Sequence, residues 1–218
     1  MNYIDSHTHN INSQFKGIYV VTDLNSPIPN KPFIVGIHPW YVDKFAISEF
    51  KKQFQNYASS KNFIALGEIG LDKSKADFDL QKKVFQEQVK LAIEFKIHSL
   101  VIHSVKSHAE ILEILKENKF HGKILWHGIN ANIEQINQIL KSQPNSWFGL
   151  GELLFKKSKI SECLTKIPIE RLLLETDDQT SFTIQDIYQK CANILSVDTQ
   201  QLQIQIEKNF DFFVNKDD

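Results

Sequence analysis

Seven of the histidines and carboxylates in this sequence, side chains that can hold metal ions or move protons, sit in or just past short apolar runs. Phe63-Ile64-Ala65-Leu66 reads as a buried strand stopping at Gly67, and Glu68 follows between Gly67 and Gly70. A carboxylate at the end of a buried strand is costly unless it is paired, hydrogen-bonded or bound to a metal. The glycines let the backbone turn sharply and approach whatever that carboxylate holds. His7 and His9 close the run Tyr3–His9, and on an extended chain both point to one face, so two imidazoles can reach one ion. His103 follows Ser99–Ile102, His127 follows Lys123–Trp126, and Asp177 follows Arg171–Leu174 through Glu175 and Thr176. His38, just past Phe33–Ile37, is placed to face the same cavity. Imidazole and carboxylate are the donors suited to Zn, Mn, Fe or Ni and, less well, Mg. His7, His9, Glu68, His103, His127 and Asp177 together exceed the three protein ligands of an ordinary catalytic zinc site. Two divalent ions sharing a bridging carboxylate are the natural count.

The elements that must bring these groups together alternate between strands and helices. Strands are expected to begin near Tyr3, Ile18, Phe33, Phe63, Ser99, Lys123, Trp147 and Arg171, each rich in β-branched or large apolar residues. Ile47, Phe50, Phe54 and Tyr57 recur at helical spacing. Leu80, Val84, Phe85, Leu91, Ala92 and Phe95 predict a longer helix with those residues buried. Ser107 with Glu110, and Asn132 with Gln135, read as capping boxes of two further helices. Ile160, Cys163, Leu164 and Ile167 mark a short helix that makes Cys163 a core residue, and the C-terminal part is helical. The prediction is an α/β chain, residues 1–218 as a single domain, folded as a distorted (β/α)8 TIM barrel. Helices are missing after the first two strands, where Asn10–Gly17 and the proline-rich Asn25–Pro32 are loops. Loops or a second subunit are expected to shield that wall. In such a barrel the C-terminal strand ends carry the active site, and those are the positions of the candidate ligands.

Net charge is −1, so no basic footprint announces tight binding along a duplex or a polybasic membrane patch. The two cysteines, Cys163 and Cys191, form no CxxC and are too few for a disulfide framework. No signal peptide and no apolar run of about 20 residues is visible, so a soluble cytoplasmic protein is the expectation.

His7-Thr8-His9, Gly36-Ile37-His38-Pro39, Gly67-Glu68-Ile69-Gly70-Leu71-Asp72, Ile102-His103, His127 and Leu172-Leu173-Leu174-Glu175-Thr176-Asp177 resemble the signature blocks of the TatD-type metal-dependent deoxyribonucleases of the amidohydrolase superfamily. The resemblance runs out to Asn209-Phe210. It implies a distorted TIM barrel with a binuclear centre that hydrolyses DNA phosphodiesters, often as a 3′–5′ exonuclease. His7, His9 and Asp177 would hold one ion (Zn, Mn or Mg), His103 and His127 the other, and Glu68 would bridge. The departures lie in the substrate-facing pattern: Val105 where the family often has Arg, Gly128-Ile129 where it has a small residue and Phe, and Asp178-Gln179-Thr180 where it has a small residue, Pro and Tyr.

The expected reaction is attack of metal-activated water on a phosphodiester, with Asp177 as general base, Glu68 as the shared carboxylate and His38 on the substrate phosphate. Trp40 could stack a base or pack on the barrel rim. Lys73, Lys75 and Lys106 lie near the ligand-bearing loops. The partner would be DNA or a small phosphoester, with no membrane, and the chain could form a homo-oligomer. Two other readings are a hydrolase of a small ester, amide or phosphoester, and a non-catalytic metal-stabilised binding protein.

Overall fold

The computed structural model describes residues 3–156 and 158–215. Eight strands lie in one sheet in chain order: β1 (Ile4–Thr8), β2 (Lys16–Val21), β3 (Phe33–Val35), β4 (Phe63–Asp72), β5 (Ser99–Val105), β6 (Lys123–Trp126), β7 (Ser146–Leu150) and β8 (Leu172–Leu174). Every neighbouring pair is parallel. The ends of the sheet meet at the top of the molecule. There Thr8 bridges Asp177, Asp177 N donates to His7 O at 2.9 Å and His9 N donates to Asp177 O at 3.1 Å. The result is a nearly closed (β/α)8 barrel whose seam is sewn by the backbone of three candidate ligands.

From β3 onward helices fill the crossovers: α1 (Ile47–Ala58), α2 (Phe78–Glu94), α3 (His108–Glu117), α4 (Ile133–Ser142), the short α5 (Leu153–Lys156) and α6 (Ser158–Leu164), then α7 (Ile184–Leu195) and α8 (Thr199–Val214) after β8. No helix follows β1 or β2. The two connecting loops are instead tied together by Lys31, whose ammonium donates to the carbonyls of Ile11 and Ser13, and to α1 by Tyr57 OH donating to Leu24 O at 2.6 Å. Their cover is partial, leaving Ile11, Phe15 and Ile28 about 40 % exposed. β3, β6, β7 and β8 are buried along their whole length, as strands covered on both faces must be. Among the described residues no helix is long and apolar enough to cross a membrane.

Three local expectations need correcting. β4 does not stop at Gly67 but runs on to Asp72, because a bulge absorbs the turn: Leu66 pairs Leu100 and Ile69 pairs Ile102, three steps against two. A matching bulge lies in β1, where Asp5 pairs Gly17 and Thr8 pairs Tyr19. Each inserts its extra residue beside a candidate ligand, Glu68 or His7. Ser107 does not cap α3, since its hydroxyl donates to Leu71 O at 2.7 Å and Glu110 pairs with Lys73 instead. Leu80 is exposed, and Gln81 and Gln88 take the buried face of α2 with Val84, Phe85, Val89, Leu91 and Ala92. The Asn132–Gln135 capping box is present as expected.

Candidate metal centre

Glu68 lies on the barrel axis, 5 % exposed, with its two carboxylate oxygens turned to two different groups of nitrogen and oxygen donors. Oε2 faces His7 Nε2 at 3.4 Å and His9 Nε2 at 3.7 Å. Asp177 Oδ1 completes that group, 3.6 Å from His7 Nε2 and 3.3 Å from His9 Nε2. Oε1 faces His127 Nε2 at 2.6 Å, His103 Nδ1 at 2.9 Å and His38 Nε2 at 2.9 Å, and the His103 and His127 nitrogens lie 3.2 Å apart. All six residues expected to be ligands therefore converge, and His38, assigned from the sequence to the substrate phosphate, joins the Oε1 group.

The spacing of the first group fits a cation. Two atoms each about 2.1 Å from one tetrahedral ion are about 3.4 Å apart, which is too long for a good hydrogen bond. His7 shows the consequence: its ring is fully buried, yet neither nitrogen has a hydrogen-bond partner among the described residues. His7, His9, Glu68 and Asp177 form one candidate cation group, and His38, Glu68 and His103 form a second. The Oε1 group is drawn in to hydrogen-bond distances, with Glu68 acting as the acceptor its histidines share.

The charges explain this order. Burial alone would neutralise Glu68, but the charge of His127 and hydrogen bonds from His103, His127 and His38 hold its pKa well below the usual range. Burial also opposes ionisation of Asp177, and the hydrogen bond from His9 with the charges of His127 and His7 brings it down to about 2. Burial works against charge on His9, but Asp177 and Glu68 override it and raise the pKa to about 9. His127 is raised in the same way by Glu68 and Glu175, whereas burial lowers His38. The cluster is a pair of anions balanced by cationic histidines, the charge pattern in which divalent cations replace protons.

Several residues that hold this arrangement have no metal-ligand signature. Gln88 grips both backbone polar groups of Ile37, accepting from its N–H at 2.7 Å and donating to its carbonyl at 3.0 Å, which fixes the loop carrying His38. Gln81 grips Asp72 in the same manner at 2.8 and 3.1 Å. Asp72 Oδ2 lies 3.5 Å from His103 Nε2 and accepts from Trp40 Nε1 at 2.7 Å. Glu175, 1 % exposed, lies 3.7 Å from His127 Nδ1 and accepts from Gly128 N–H. Carboxylates behind ligating histidines orient the ring and raise its basicity. Glu175 has room only because residue 149 is glycine, since a Cβ there would lie 2.1 Å from Oε2. The signal available in the sequence was the pair of glutamines seven apart on an otherwise apolar helix face.

A cavity of about 290 Å³ opens above the cluster, its outer wall built from Val20, Val21, Leu24, Phe45, Trp40 and Tyr41. A smaller one, about 190 Å³, is lined by Val105, Gly128, Glu152 and Leu153. His103, His127 and Asp177 border both. Lys73 is engaged by Glu110, and Lys75 sits over the Trp40 ring.

Residues 6–215 match the model of the family described as TatD related DNase. The chain belongs to this TatD family. It is 34% identical over 150 residues to the human 3'-5' RNA nuclease TATDN2, a match covering 65% of this chain and 19% of the human protein. It is 32% identical over 149 residues to the uncharacterized metal-dependent hydrolase YabD of Bacillus subtilis, covering 66% of this chain and 56% of that one. The matched part is thus little more than half of YabD and about a fifth of the human protein. The crystal structure of YjjV, a TatD homologue from Escherichia coli, superposes with a TM-score of 0.83 over 98% of both chains at 20% identity, which places the same fold. The TatD relatives named as metal-dependent hydrolases agree with the donor set converging here.

One buried group beside the candidate ligands carries a stability prediction. Asp5 is 2 % exposed and accepts from Thr176 N–H at 2.9 Å and Thr176 Oγ1 at 2.7 Å. Burial outweighs those bonds and raises its pKa from 3.8 to about 6. The folded protein therefore binds the Asp5 proton more tightly than the unfolded chain, and its stability falls as pH rises through that window. The shift corresponds to about 3 kcal/mol. Asp5→Asn keeps an acceptor for Thr176 N–H and removes the charge. Urea unfolding at pH 4, 5, 6 and 7 should show the wild type losing about 2 kcal/mol more than Asp5→Asn across the series, the rest of the shift lying below pH 4. Parallel curves for the two proteins would show that Asp5 does not titrate in this range.

Proposed function

We propose that this chain is a metal-dependent hydrolase that uses two divalent ions to cleave phosphodiester bonds at the ends of single-stranded DNA. The observation that carries the reading is the division of Glu68: one oxygen serves His7, His9 and Asp177, the other His38, His103 and His127. In this reading His7, His9 and Asp177 hold one ion, His103 and His127 the other, and Glu68 spans both. His38 is the member of the second group assigned to a substrate phosphate: its Nδ1 accepts from Trp40 N–H and burial favours its neutral form, which leaves the ring proton on Nε2, the nitrogen that faces the centre. When bound, the ions acidify a water and offset charge on the phosphoryl oxygens, which lets even a weakly basic carboxylate take the proton. Asp177 is that carboxylate. Both Asp177 and Glu68 line the cavity, but Asp177 is 37 % exposed and faces two histidines, whereas Glu68 is 5 % exposed and enclosed by five. The description of the matched family as DNases supports the substrate class, and the near-neutral chain suits capture of a strand end better than tracking along a duplex.

A second reading, hydrolysis of a small ester, amide or phosphoester, is favoured by one feature. The positions beside the ligands carry Val105, Gly128 and Asp178 rather than cations, and Asp178 brings an acidic group to the rim. The test is end-labelled single-stranded DNA, and RNA of the same sequence, incubated with Mg²⁺, Mn²⁺ or Zn²⁺ beside bis(p-nitrophenyl) phosphate and p-nitrophenyl acetate. Shortening of the DNA from one end, lost on chelation, is the expected result. DNA left intact with every metal while an ester is cleaved would replace the nuclease by the small-molecule hydrolase.

A further inference from the structure

The mouth of the larger cavity is built in a way that bond cleavage alone does not require. Trp40 and Tyr41 are both exposed, 44 % and 36 %, in the turn after β3, and each ring carries an ammonium group. Lys75 Nζ lies 4.3 Å from the Trp40 ring centroid and Lys44 Nζ lies 5.0 Å from that of Tyr41. The two lysines come from different connections, Lys44 from the one after β3 and Lys75 from the one after β4, so their convergence belongs to the fold. Trp40 is also held in place. Its Nε1 donates to Asp72, and the His38 and His103 rings meet it edge-on with centroids 5.0 and 5.8 Å away. The other two tryptophans, Trp126 and Trp147, are buried. The smaller cavity has no Phe, Tyr or Trp among its described lining residues, whereas Trp40, Tyr41 and Phe45 line the larger.

An aromatic face fixed at the edge of a hydrolytic centre, with cations beside it, is what a single strand needs. Every base has a π-face to stack on it, and each flanking phosphate can take an ammonium. Resting on those amphipathic rings, the lysines hold the place a base would occupy. We propose that Trp40 and Tyr41, with Lys75 and Lys44, form a platform for the nucleotide beside the scissile bond, so that the strand lies over this side and the released end occupies the smaller cavity. The inference rests on the nuclease reading of the centre.

The test pairs the protein with altered DNA. Single-stranded oligonucleotides carrying an abasic site at each position near the cleaved end are assayed with wild type, Trp40→Ala and Trp40→Phe, with bis(p-nitrophenyl) phosphate alongside. Stacking of one base predicts that Trp40→Ala lowers kcat/KM on the intact strand about tenfold more than on the small diester. Trp40→Phe, which keeps a ring but not the bond to Asp72, should recover most of that loss. One abasic position should cost the wild type a similar factor and cost Trp40→Ala little more, since both remove one contact. Lys75→Gln should flatten the salt dependence of KM. Equal losses on strand and small diester, or abasic and Trp40→Ala losses that simply multiply, would overturn the platform and leave Trp40 as a support for Asp72 and His103. If the wild type cleaves the small diester and no oligonucleotide, the nuclease reading has failed. The platform is then judged by tryptophan emission in wild type and Trp40→Phe: quenching by an added oligonucleotide that Trp40→Phe lacks supports it, and emission unchanged in the wild type, or quenched equally in both proteins, overturns it.

Discussion

Asp177→Asn should lower phosphodiester hydrolysis by roughly 10³-fold while leaving the barrel folded. The expectation has two parts, because Asp177 does two things. Its side chain faces His7 and His9 across the first cation group and is the more exposed of the two cluster carboxylates that line the cavity, so in the proposed mechanism the amide removes an anionic ligand and a proton acceptor together. Its backbone closes the barrel through hydrogen bonds with His7 and His9, at a φ of 57°. Asparagine tolerates that left-handed conformation as aspartate does, so the seam should survive the substitution. Asp177→Leu would serve badly as the test, since a branched apolar side chain at positive φ threatens the seam as well as the chemistry. The measurements are turnover on end-labelled DNA or on the small diester, and thermal unfolding in the presence of EDTA. A variant within tenfold of wild type would show that Asp177 is neither ligand nor base. A variant whose unfolding midpoint collapses would show that the seam depends on the charge.

The barrel was readable because most of its strands are buried apolar runs and most of its helices carry an apolar stripe. The missing helices after β1 and β2 followed from loop lengths and from Pro27, Pro29 and Pro32. The metal-binding residue types were readable because each ends or interrupts such a run. What the sequence hid is how the donors are aimed. Glu68 was read as lying past a strand end, yet it stands inside β4 at a bulge, and no composition signal separates a strand that stops at glycine from one that bulges through it. Gln81 and Gln88 were hidden for the converse reason. A polar side chain on a buried helix face is legible only when its partner is known, and the partners here are the backbones of Asp72 and Ile37, distant in sequence. Asp72 and Glu175 stood inside recognised motifs, but their positions behind His103 and His127 depend on side-chain direction, which spacing along the chain does not give. His38 is the instructive case for the centre itself. As a loop residue it had no fixed direction in the sequence, and the grip of Gln88 on Ile37 turns it onto the same Glu68 oxygen as His103 and His127.

Glu68→Gln should strip the protein of both ions, with apparent affinity falling more than about 100-fold at each position. That exceeds the 10- to 100-fold typical of losing a residue behind a ligand, because here a charged atom is lost from each group. The geometry separates a bridging carboxylate from an ordinary one. A ligand serving one ion would leave the other group intact, whereas Glu68 presents Oε2 to His7 and His9 and Oε1 to His38, His103 and His127. Glutamine keeps the volume and a carbonyl oxygen for one group but turns an NH₂, which cannot bind a cation, to the other. It also removes the negative charge that, together with Glu175, raises the pKa of the buried His127, and with it the group the two donor sets have in common. The variant should still fold, since Leu66 and Ile69, on either side of residue 68, are paired with β5. Elemental analysis after saturation and gel filtration, with a competitive chelator titration for affinity, reads the result. Two ions per chain in the wild type and none in Glu68→Gln is the expected pattern, and His103→Ala should lose one ion and keep the other. A wild type that saturates at one ion, or a Glu68→Gln protein that keeps one at wild-type affinity, would reduce Glu68 to a ligand of a single centre and remove the two-ion mechanism with it.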